Sequence, residues 1–308
     1  MPITIPDSLP AHKTLEDENI FVMTTYRATH QDIRPLKVLI LNLMPTKITT
    51  ETQILRKLSN TPLQVQVEFL RTASYQSTHV DQTHMEQFYY TFDQIKDRRY
   101  DGMIITGAPL DYVDYRDVAY WDEMCRIMEW TKKHVHCTFH LCWGAFAGLY
   151  YHHGIRKFDH DIKIFGVFPH KIYKPNSPLF RGFNDVFLAP QSRASDVRLE
   201  DCLAAEGLEV LATMMDTGSP TIMKTEDNRQ FFVTCHMEYD WNTLKLEYER
   251  DVAKGLDSVK LPYNYFPDDD PSKTPMVTWR SPGQLLYTNW LNYYVYQTTP
   301  YDLYKDEA

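Results

Sequence analysis

Four segments in the first half of the chain carry the hydrophobic pattern of buried strands. They cover residues 36–43, 63–69, 100–106 and 134–141. The first is a near-continuous apolar run, which is typical of a parallel strand covered on both faces. Helical patterns follow these strands at 49–58, 85–95, 118–130 and from Trp143 onward. Four rounds of strand, turn and helix within about 150 residues predict a doubly wound, mostly parallel α/β sheet.

The second half of the chain has shorter strand patterns, which predict an antiparallel extension of the sheet. These patterns lie at 164–168, 186–188, 210–214, 221–223 and 231–234. The rest of this half is predicted to be a charged helix at 241–253, an irregular stretch at 256–276 and a last helix at 285–295. The tyrosines of 285–295 would also suit a strand.

The sequence shows no internal repeat, low-complexity tract or clear linker, which predicts one domain over residues 1–308. Residues 1–35 hold four prolines and little periodicity, so we expect an arm packed over the core. The polar segment 72–81 is predicted to be a loop, and residues 298–308 a C-terminal tail.

Residues 134–154, HVHCTFHLCWGAFAGLYYHHG, are the main candidate for chemistry. Apolar residues alternate up to Leu141 and small residues follow Trp143, so the pattern predicts a strand, a sharp turn at Cys142 and a helix. A side chain at that turn lies at the positive end of the helix dipole, which favours a thiolate over a thiol. Serine hydrolases use the same strand–nucleophile–helix geometry. Cys142 is therefore a candidate nucleophile, with a small buried residue at a strand end as the alternative.

A histidine and a glutamate follow the strand pattern at 231–234, in the segment CHMEY. A cysteine nucleophile needs an imidazole beside it, and the imidazole benefits from a carboxylate that fixes its tautomer. His236 and Glu238 stand two residues apart, which puts them on one side of an extended segment or in contact through a bend. The alternative is that His236 is one of twelve histidines and Glu238 a surface acid.

Composition narrows the class of protein. The net charge of −9 makes general nucleic-acid binding unexpected, and no apolar run reaches membrane-spanning length. The first twenty residues lack the basic region and apolar run of a signal peptide. Five cysteines without a close CxxC pair indicate a reducing cytoplasm rather than a disulfide framework.

The other polar clusters give weaker signals. The HVHC stretch at 134–137 lies in a strand whose alternate residues point to opposite faces, so we predict no metal site there. GxxxxGK[ST], GxGxxG and HExxH patterns are absent from the sequence. Lys163, Ser192 with Arg193, and Arg250 could recognise a carboxylate, although a surface charge is the usual alternative for each.

Long runs of the chain resemble one family, the homoserine O-acyltransferases of methionine biosynthesis with a fold like that of class I glutamine amidotransferases. The resemblance covers nearly the whole length. The runs that carry it include MPITIPDSLPA, RPLKVLILNLMPTK, YDGMIITGAP, CWGAFAGLYYHHGI, LEYERD, NYFPDDDP and WLNYYVYQ. It implies a flavodoxin-like sheet and transfer of an acyl group from an acyl-coenzyme A to the hydroxyl of homoserine.

The family's roles carry over onto matching positions of this chain. The resemblance implies Cys142 as the nucleophile that forms a thioester, His236 as the general base and Glu238 as its partner. It implies substrate binding by Lys163, Ser192 and Arg250. For the oxyanion we predict the backbone N–H groups of Trp143 and of the Gly107 turn. Small-molecule substrates, no metal or prosthetic group, and a homodimer are further implications.

Three positions depart from the family pattern. Gln191 stands where a histidine usually precedes the Ser-Arg pair, and CHMEY replaces a motif such as GHPEY. At position 111 a glycine goes with succinyl-coenzyme A and a glutamate with acetyl-coenzyme A, whereas this chain has Asp111. A carboxylate in the acyl pocket would repel the free carboxylate of a succinyl group, so we predict acetyl-coenzyme A as the donor.

Other functions compete with O-acetylation of homoserine. Succinyl-coenzyme A as donor and L-serine as acceptor are alternatives within the family. A thiol hydrolase or amidotransferase that cuts a glutamine-like amide would use the same three side chains. A binding module without catalysis on the same fold is the other class.

Overall fold

The computed structural model describes residues 3–6, 8–18, 23–24, 34–74, 82–255 and 259–299. The strands in these ranges are β1 (Ile3–Ile5), β2 (Met23–Thr24), β3 (Leu36–Leu41), β4 (Val65–Leu70), β5 (Tyr89–Tyr90), β6 (Tyr100–Ile105), β7 (Val135–Leu141), β8 (Phe158–Ile172), β9 (Val186–Asp196), β10 (Leu208–Met214), β11 (Pro220–Thr225) and β12 (Gln230–Val233). The helices are α1 (Pro10–Asp17), α2 (Lys47–Ser59), α3 (Gln82–Phe88), α4 (Phe92–Ile95), α5 (Trp121–His134), α6 (Trp143–His153), α7 (Leu199–Ala204), α8 (Thr243–Ala253), α9 (Arg280–Asn289) and a π-helix (Trp290–Tyr296).

The strands form one mixed sheet in the order β2-β1-β4-β3-β6-β7-β12-β11-β10-β8-β9, with β5 beside β4. Pairing is parallel from β2 to β12 and antiparallel from β12 to β9. This confirms the predicted α/β class, a mostly parallel sheet with an antiparallel extension. From β3 the chain first adds β4 on one side and later β6 on the other. The strand order therefore reverses between β3 and β6.

Side chains of the central strands alternate between the two faces of the sheet, and each face is covered by a hydrophobic core. In β3, Val38 and Ile40 belong to one hydrophobic core and Leu39 and Leu41 to the other. The first core is shared with α1, α2, α9 and the π-helix, and the second with α5, α6 and α7. Burying both faces of a parallel strand requires helices on both sides, which fixes the layered arrangement.

Several predicted elements differ from those in the structure. Residues 1–35 contribute strands to the sheet, because β1 pairs with β4 and β2 pairs with β1. The helix predicted at 85–95 is two helices separated by β5, whose tyrosines pair with the end of β4. The short strands predicted at 164–168 and 186–188 are parts of the long strands β8 and β9.

Parts of the predicted arm, loop and tail lie outside the described residues, namely 1–2, 7, 19–22, 25–33, 75–81 and 300–308. Among the helices that the structure describes, none has the length and apolar character needed to cross a membrane.

Candidate active site

Cys142 occupies the turn between β7 and α6, where the backbone is strained. Its φ is 46° and its ψ is −115°, a region that residues other than glycine seldom adopt. Its N–H donates to the carbonyl of Val233 on the neighbouring β12, at 2.7 Å. The side chain is 7% exposed, so the thiol lies almost entirely within the protein. The predicted strand, turn and helix are therefore present, with Cys142 at the N-terminus of α6.

The turn closes because Gly144, the second residue after Cys142, has no side chain. A Cβ at Gly144 would lie 2.6 Å from the carbonyl oxygen of Thr106 and 2.9 Å from that of Ile105. The absence of a side chain lets α6 start directly over the end of β6. This close packing determines how Cys142 is held relative to the loop after β6.

His236 and Glu238 meet through a turn just past β12. The His236 Nδ1 and the Glu238 Oε1 are 2.7 Å apart, and both side chains are buried. The His236 N–H donates to the carbonyl of Pro190 on β9, at 2.9 Å, which fixes the turn against the sheet. A carboxylate on Nδ1 leaves Nε2 as the nitrogen that can exchange a proton with a neighbouring group.

The environment of His236 stabilises an imidazolium. Burial lowers the pKa of His236, but the charges of Cys142 and Glu238 and hydrogen bonds to both raise it well above its ordinary value. The interactions with these two partners thus outweigh the desolvation of the ring. The strand-end cysteine and the CHMEY histidine, 94 positions apart in the sequence, form one interacting group.

The other cysteines lack this environment. Burial raises the pKa of the thiols of Cys137 and Cys202 to about 12 in each case, and it also raises that of Cys235, the neighbour of His236. Cys125 is half-buried on α5, where burial and the charge of Asp122 raise its pKa. Each of these four is held in the thiol form, which is the poor nucleophile.

The two backbone N–H groups predicted for an oxyanion, those of Gly107 and Trp143, lie in neighbouring turns. A Cβ built on Gly107 would lie 3.2 Å from the Cys142 Cβ and 3.6 Å from the Trp143 nitrogen, so the two turns are in contact. Trp143 is the first residue of α6, where amides have no intrahelical acceptor. Within the described ranges, neither N–H has a hydrogen-bond acceptor. Such a pair can receive a negative oxygen formed beside the Cys142 sulfur.

The predicted substrate-binding residues are brought together by two acids of α8. Glu247 Oε2 accepts from the Ser192 hydroxyl at 2.5 Å and from the Lys163 ammonium at 3.2 Å. Asp251 lies 3.9 Å from the same ammonium and accepts from the Arg250 Nε at 2.8 Å. Glu247 and Asp251 were not among the residues predicted from the sequence. Their common helix and the i, i+4 spacing in LEYERD were the available signals.

Lys163, Glu247, Arg250 and Asp251 form a group that we call the acid-and-base cluster. Tyr239 connects this cluster to His236. Its ring stacks on the imidazole with the centroids 4.1 Å apart, and its hydroxyl donates to Glu247 Oε1 at 3.0 Å. The Trp279 indole N–H donates to the Tyr239 carbonyl at 3.0 Å and holds the residue in place. His236 and the acid-and-base cluster are therefore neighbours.

The side chain of Gln191 makes hydrogen bonds inside the protein and, among the described residues, none with the acid-and-base cluster. Its amide lies 3.0 Å from His170 Nε2, and its Oε1 accepts from the Arg193 Nε at 3.0 Å. Arg193 is fully buried and pairs with Asp196 at 2.9 Å. Because side chains alternate along β9, Gln191 and Arg193 point to one face and Ser192 to the other. Of the Gln191-Ser192-Arg193 run, Ser192 alone reaches Glu247 in this part of the structure.

Asp111 joins the loop after β6 to β9. Its Oδ1 accepts from the Ala194 N–H at 3.0 Å. Its carbonyl accepts from the Ser195 hydroxyl at 2.9 Å and from the Lys157 ammonium. The Asp111 side chain therefore contacts β9 at Ala194, two residues after Ser192, whose hydroxyl binds Glu247.

Comparisons with known proteins give matches over most or nearly all of the chain. The sequence model of the homoserine O-succinyltransferase family matches residues 2–301. A homoserine O-acetyltransferase from Acetivibrio thermocellus is 55% identical over 98% of this chain and 99% of that protein. One from Methanomethylophilus alvi is 53% identical over 98% and 97%. A glutamine amidotransferase from Thermotoga maritima has a similar fold, with a TM-score of 0.53 and 12% identity over 84% of this chain and 98% of that chain.

Proposed function

The chain belongs to the homoserine O-succinyltransferase family, and we propose that it transfers an acetyl group from acetyl-coenzyme A to the hydroxyl of L-homoserine. Homoserine O-acyltransfer is the chain's activity, and the product would serve methionine biosynthesis. The observation that carries the mechanism is the contact of His236 with both Cys142 and Glu238, beside a cluster able to bind an amino acid. The cytoplasm is the compartment that fits five free cysteines.

In the first half-reaction Cys142 accepts the acetyl group. The thiolate attacks the thioester carbon, and the developing oxyanion is received by the N–H groups of Gly107 and Trp143. A new carbon–sulfur bond to Cys142 forms and the bond to the sulfur of coenzyme A breaks. The leaving thiolate takes the proton of the His236 imidazolium.

In the second half-reaction His236 acts as a base. Once Cys142 carries an acetyl group, its negative charge is gone, and one cause of the raised pKa of His236 is removed. The neutral imidazole can then take the proton of the homoserine hydroxyl as that oxygen attacks the acyl carbon. Cys142 leaves as thiolate, and the imidazolium–thiolate pair is restored.

The cluster around α8 complements both charged groups of homoserine. Lys163 and Arg250 can pair with its carboxylate, and Glu247 and Asp251 can pair with its ammonium group. Tyr239 lies between this cluster and His236, so an amino acid bound there would direct its side-chain hydroxyl toward the base.

Glu247→Gln tests this assignment of the acceptor site. Loss of the charge weakens the ion pair with Lys163 and the pairing with an ammonium group, so we expect the KM for homoserine to rise by roughly tenfold or more. The kcat/KM for acetyl-coenzyme A should stay the same, because acylation precedes acceptor binding. Steady-state kinetics with each substrate varied would measure both.

Glu249→Gln is the matched control for Glu247→Gln. Glu249 is exposed on the same helix and lies 3.8 Å from Lys245. The same loss of charge at this position should leave both constants unchanged. Equal kinetics for the Glu247 and Glu249 variants would contradict the acceptor site.

Asp111→Gly tests the choice of donor. The carboxylate at position 111 should repel the free carboxylate of a succinyl group, since like charges near a protein surface repel by about 1 to 4 kcal/mol. We expect the ratio of kcat/KM for succinyl- over acetyl-coenzyme A to rise by roughly tenfold. Unchanged ratios would remove Asp111 as the selector.

Asp111→Asn separates charge from the role of the side chain in packing. The amide keeps an oxygen for the Ala194 N–H, whereas glycine loses that contact. If charge selects the donor, Asp111→Asn raises the ratio as well. If the ratio rises in Asp111→Gly alone, the donor is selected by the space at position 111 and by the hydrogen bond that anchors the loop after β6 to β9.

Two measurements test the proposed reaction as a whole. Intact mass after mixing with acetyl-coenzyme A alone should show one acetyl adduct, which disappears when homoserine is added. A matrix of acetyl- and succinyl-coenzyme A against homoserine and serine should give the highest rate for acetyl transfer to homoserine. Hydrolysis of glutamine without an acetyl adduct would instead support the amidotransferase alternative.

A further inference from the structure

A cavity of about 400 Å³ lies at the carboxyl ends of β3, β4 and β6. This volume is in the range of small-molecule sites, roughly 300 to 1,000 Å³. The strand order of the sheet reverses between β3 and β6. Open α/β sheets bind ligands in the crevice beyond such a reversal, because the loops diverge to either side there. We call this space the switch-point cavity.

The switch-point cavity begins next to the predicted nucleophile. Ala108 and Pro109 line it, and they directly follow Gly107, whose backbone touches the Cys142 turn. Tyr120 also lines the cavity and packs on Trp143, with the ring centroids 6.2 Å apart. A ligand in the cavity would therefore have one end beside the Cys142 turn.

The walls suit a long, mostly apolar group. Apolar side chains line much of the cavity, namely Leu43, Met44, Leu110, Val113 and Val118. Its acids, Glu86 and Asp117, are exposed to solvent. An arm with a few amide groups and little charge could enter such a space at low desolvation cost.

Arg71 is the cation available to a ligand in this cavity. It follows β4, lines the cavity, and is half-buried. Its Nε is buried, and its guanidinium makes no hydrogen bond or ion pair with the residues that the structure describes. Lys47 also lines the cavity, but its ammonium donates to the Asn42 carbonyl. A buried guanidinium nitrogen without an acceptor is costly, and phosphate oxygens match its geometry.

We infer that the switch-point cavity binds the pantetheine arm of the acyl-coenzyme A and that Arg71 contacts its diphosphate. The inference rests on the proposed function, which supplies the donor. It explains why Arg71, in an apolar passage next to Cys142, has no side-chain partner among the described residues. The thioester would lie beside the Gly107 and Cys142 turns, and the nucleotide would lie outside the cavity.

The test compares two donors, one with and one without the nucleotide and its phosphates. Acetyl-coenzyme A carries the diphosphate, whereas S-acetylpantetheine has the same arm and no phosphate. With Arg71→Ala we expect the KM for acetyl-coenzyme A to rise by roughly tenfold or more, and the KM for S-acetylpantetheine to stay unchanged. The same change in Arg126, which is exposed on α5, is the control and should alter neither KM.

A second variant tests the cavity itself. Ala119 is exposed and lines the cavity, so tryptophan there would narrow the space without entering the core. We expect Ala119→Trp to raise the KM for both donors and to leave the KM for homoserine unchanged.

Three results would overturn the inference. Equal changes for the two donors in Arg71→Ala would refute the contact with phosphate. Unchanged KM values in Ala119→Trp would refute binding of the arm in the cavity. A wild-type protein that forms no acetyl adduct and releases no coenzyme A would refute the proposed function, a result distinct from both.

Discussion

Replacing Cys142 by alanine is expected to lower kcat/KM for acyl transfer by roughly 10⁴-fold or more, since loss of a nucleophile removes the covalent route. No other cysteine can substitute, because burial raises the pKa of the Cys137, Cys202 and Cys235 thiols and keeps them protonated. Release of coenzyme A followed with a thiol reagent would measure the rate. Intact mass should show no acetyl adduct on the Cys142→Ala protein.

Cys125→Ser is the matched control for the loss of Cys142. Cys125 is the other thiol with some solvent access, half-buried on α5. We expect its replacement to leave the rate and the adduct unchanged. An acetyl adduct on the Cys142→Ala protein, or a rate near that of the wild type, would refute the thioester mechanism. A binding module without catalysis predicts no release of coenzyme A from any of these proteins.

The central part of the fold could be predicted because its signals are local. Strand β3 is apolar at nearly every position. Such a continuous apolar run is typical of a strand whose two faces are both buried. The turn at Cys142 was predicted from the same kind of signal, an alternating strand followed by small residues. In both cases neighbouring residues in the sequence carry the information.

Elements that depend on distant contacts were predicted less well. β1 has three residues, and its place in the sheet comes from pairing with β4, about sixty positions away. β5 has two residues inside a helical pattern and exists because Tyr89 and Tyr90 pair with the end of β4. The strand predicted at 186–188 ends before Ser192, yet β9 continues to Asp196 because β8 pairs with it along most of its length.

The residues of the site differ in the same way, because local spacing predicts some of them and distant contacts define others. The spacing of His236 and Glu238 could be interpreted from the sequence, because two residues in one turn must lie close together. Glu247 could not be singled out, since an acid in a charged helix usually faces solvent. Its importance comes from Lys163 and Ser192, which lie 84 and 55 positions away in the sequence.

Glu238→Gln is expected to lower kcat/KM for acetyl-coenzyme A by roughly 10² to 10⁴-fold, as in other enzymes whose base loses its carboxylate partner. The glutamine keeps the shape of the side chain but removes a charge that raises the pKa of His236. With burial lowering that pKa and only Cys142 left to raise it, the imidazolium becomes less stable. The amide can also hold the ring in the wrong tautomer, by donating to Nδ1.

The pH profile separates this electrostatic role from simple loss of packing. Acylation uses the imidazolium–thiolate pair, so kcat/KM for acetyl-coenzyme A falls at high pH where His236 loses its proton. Glu238→Gln lowers the pKa of His236, and the alkaline limb should therefore move to lower pH. Glu129→Gln, a loss of charge on the surface of α5, should leave the limb in place. A slower Glu238→Gln enzyme with an unshifted alkaline limb would mean that Glu238 positions the ring without setting its charge.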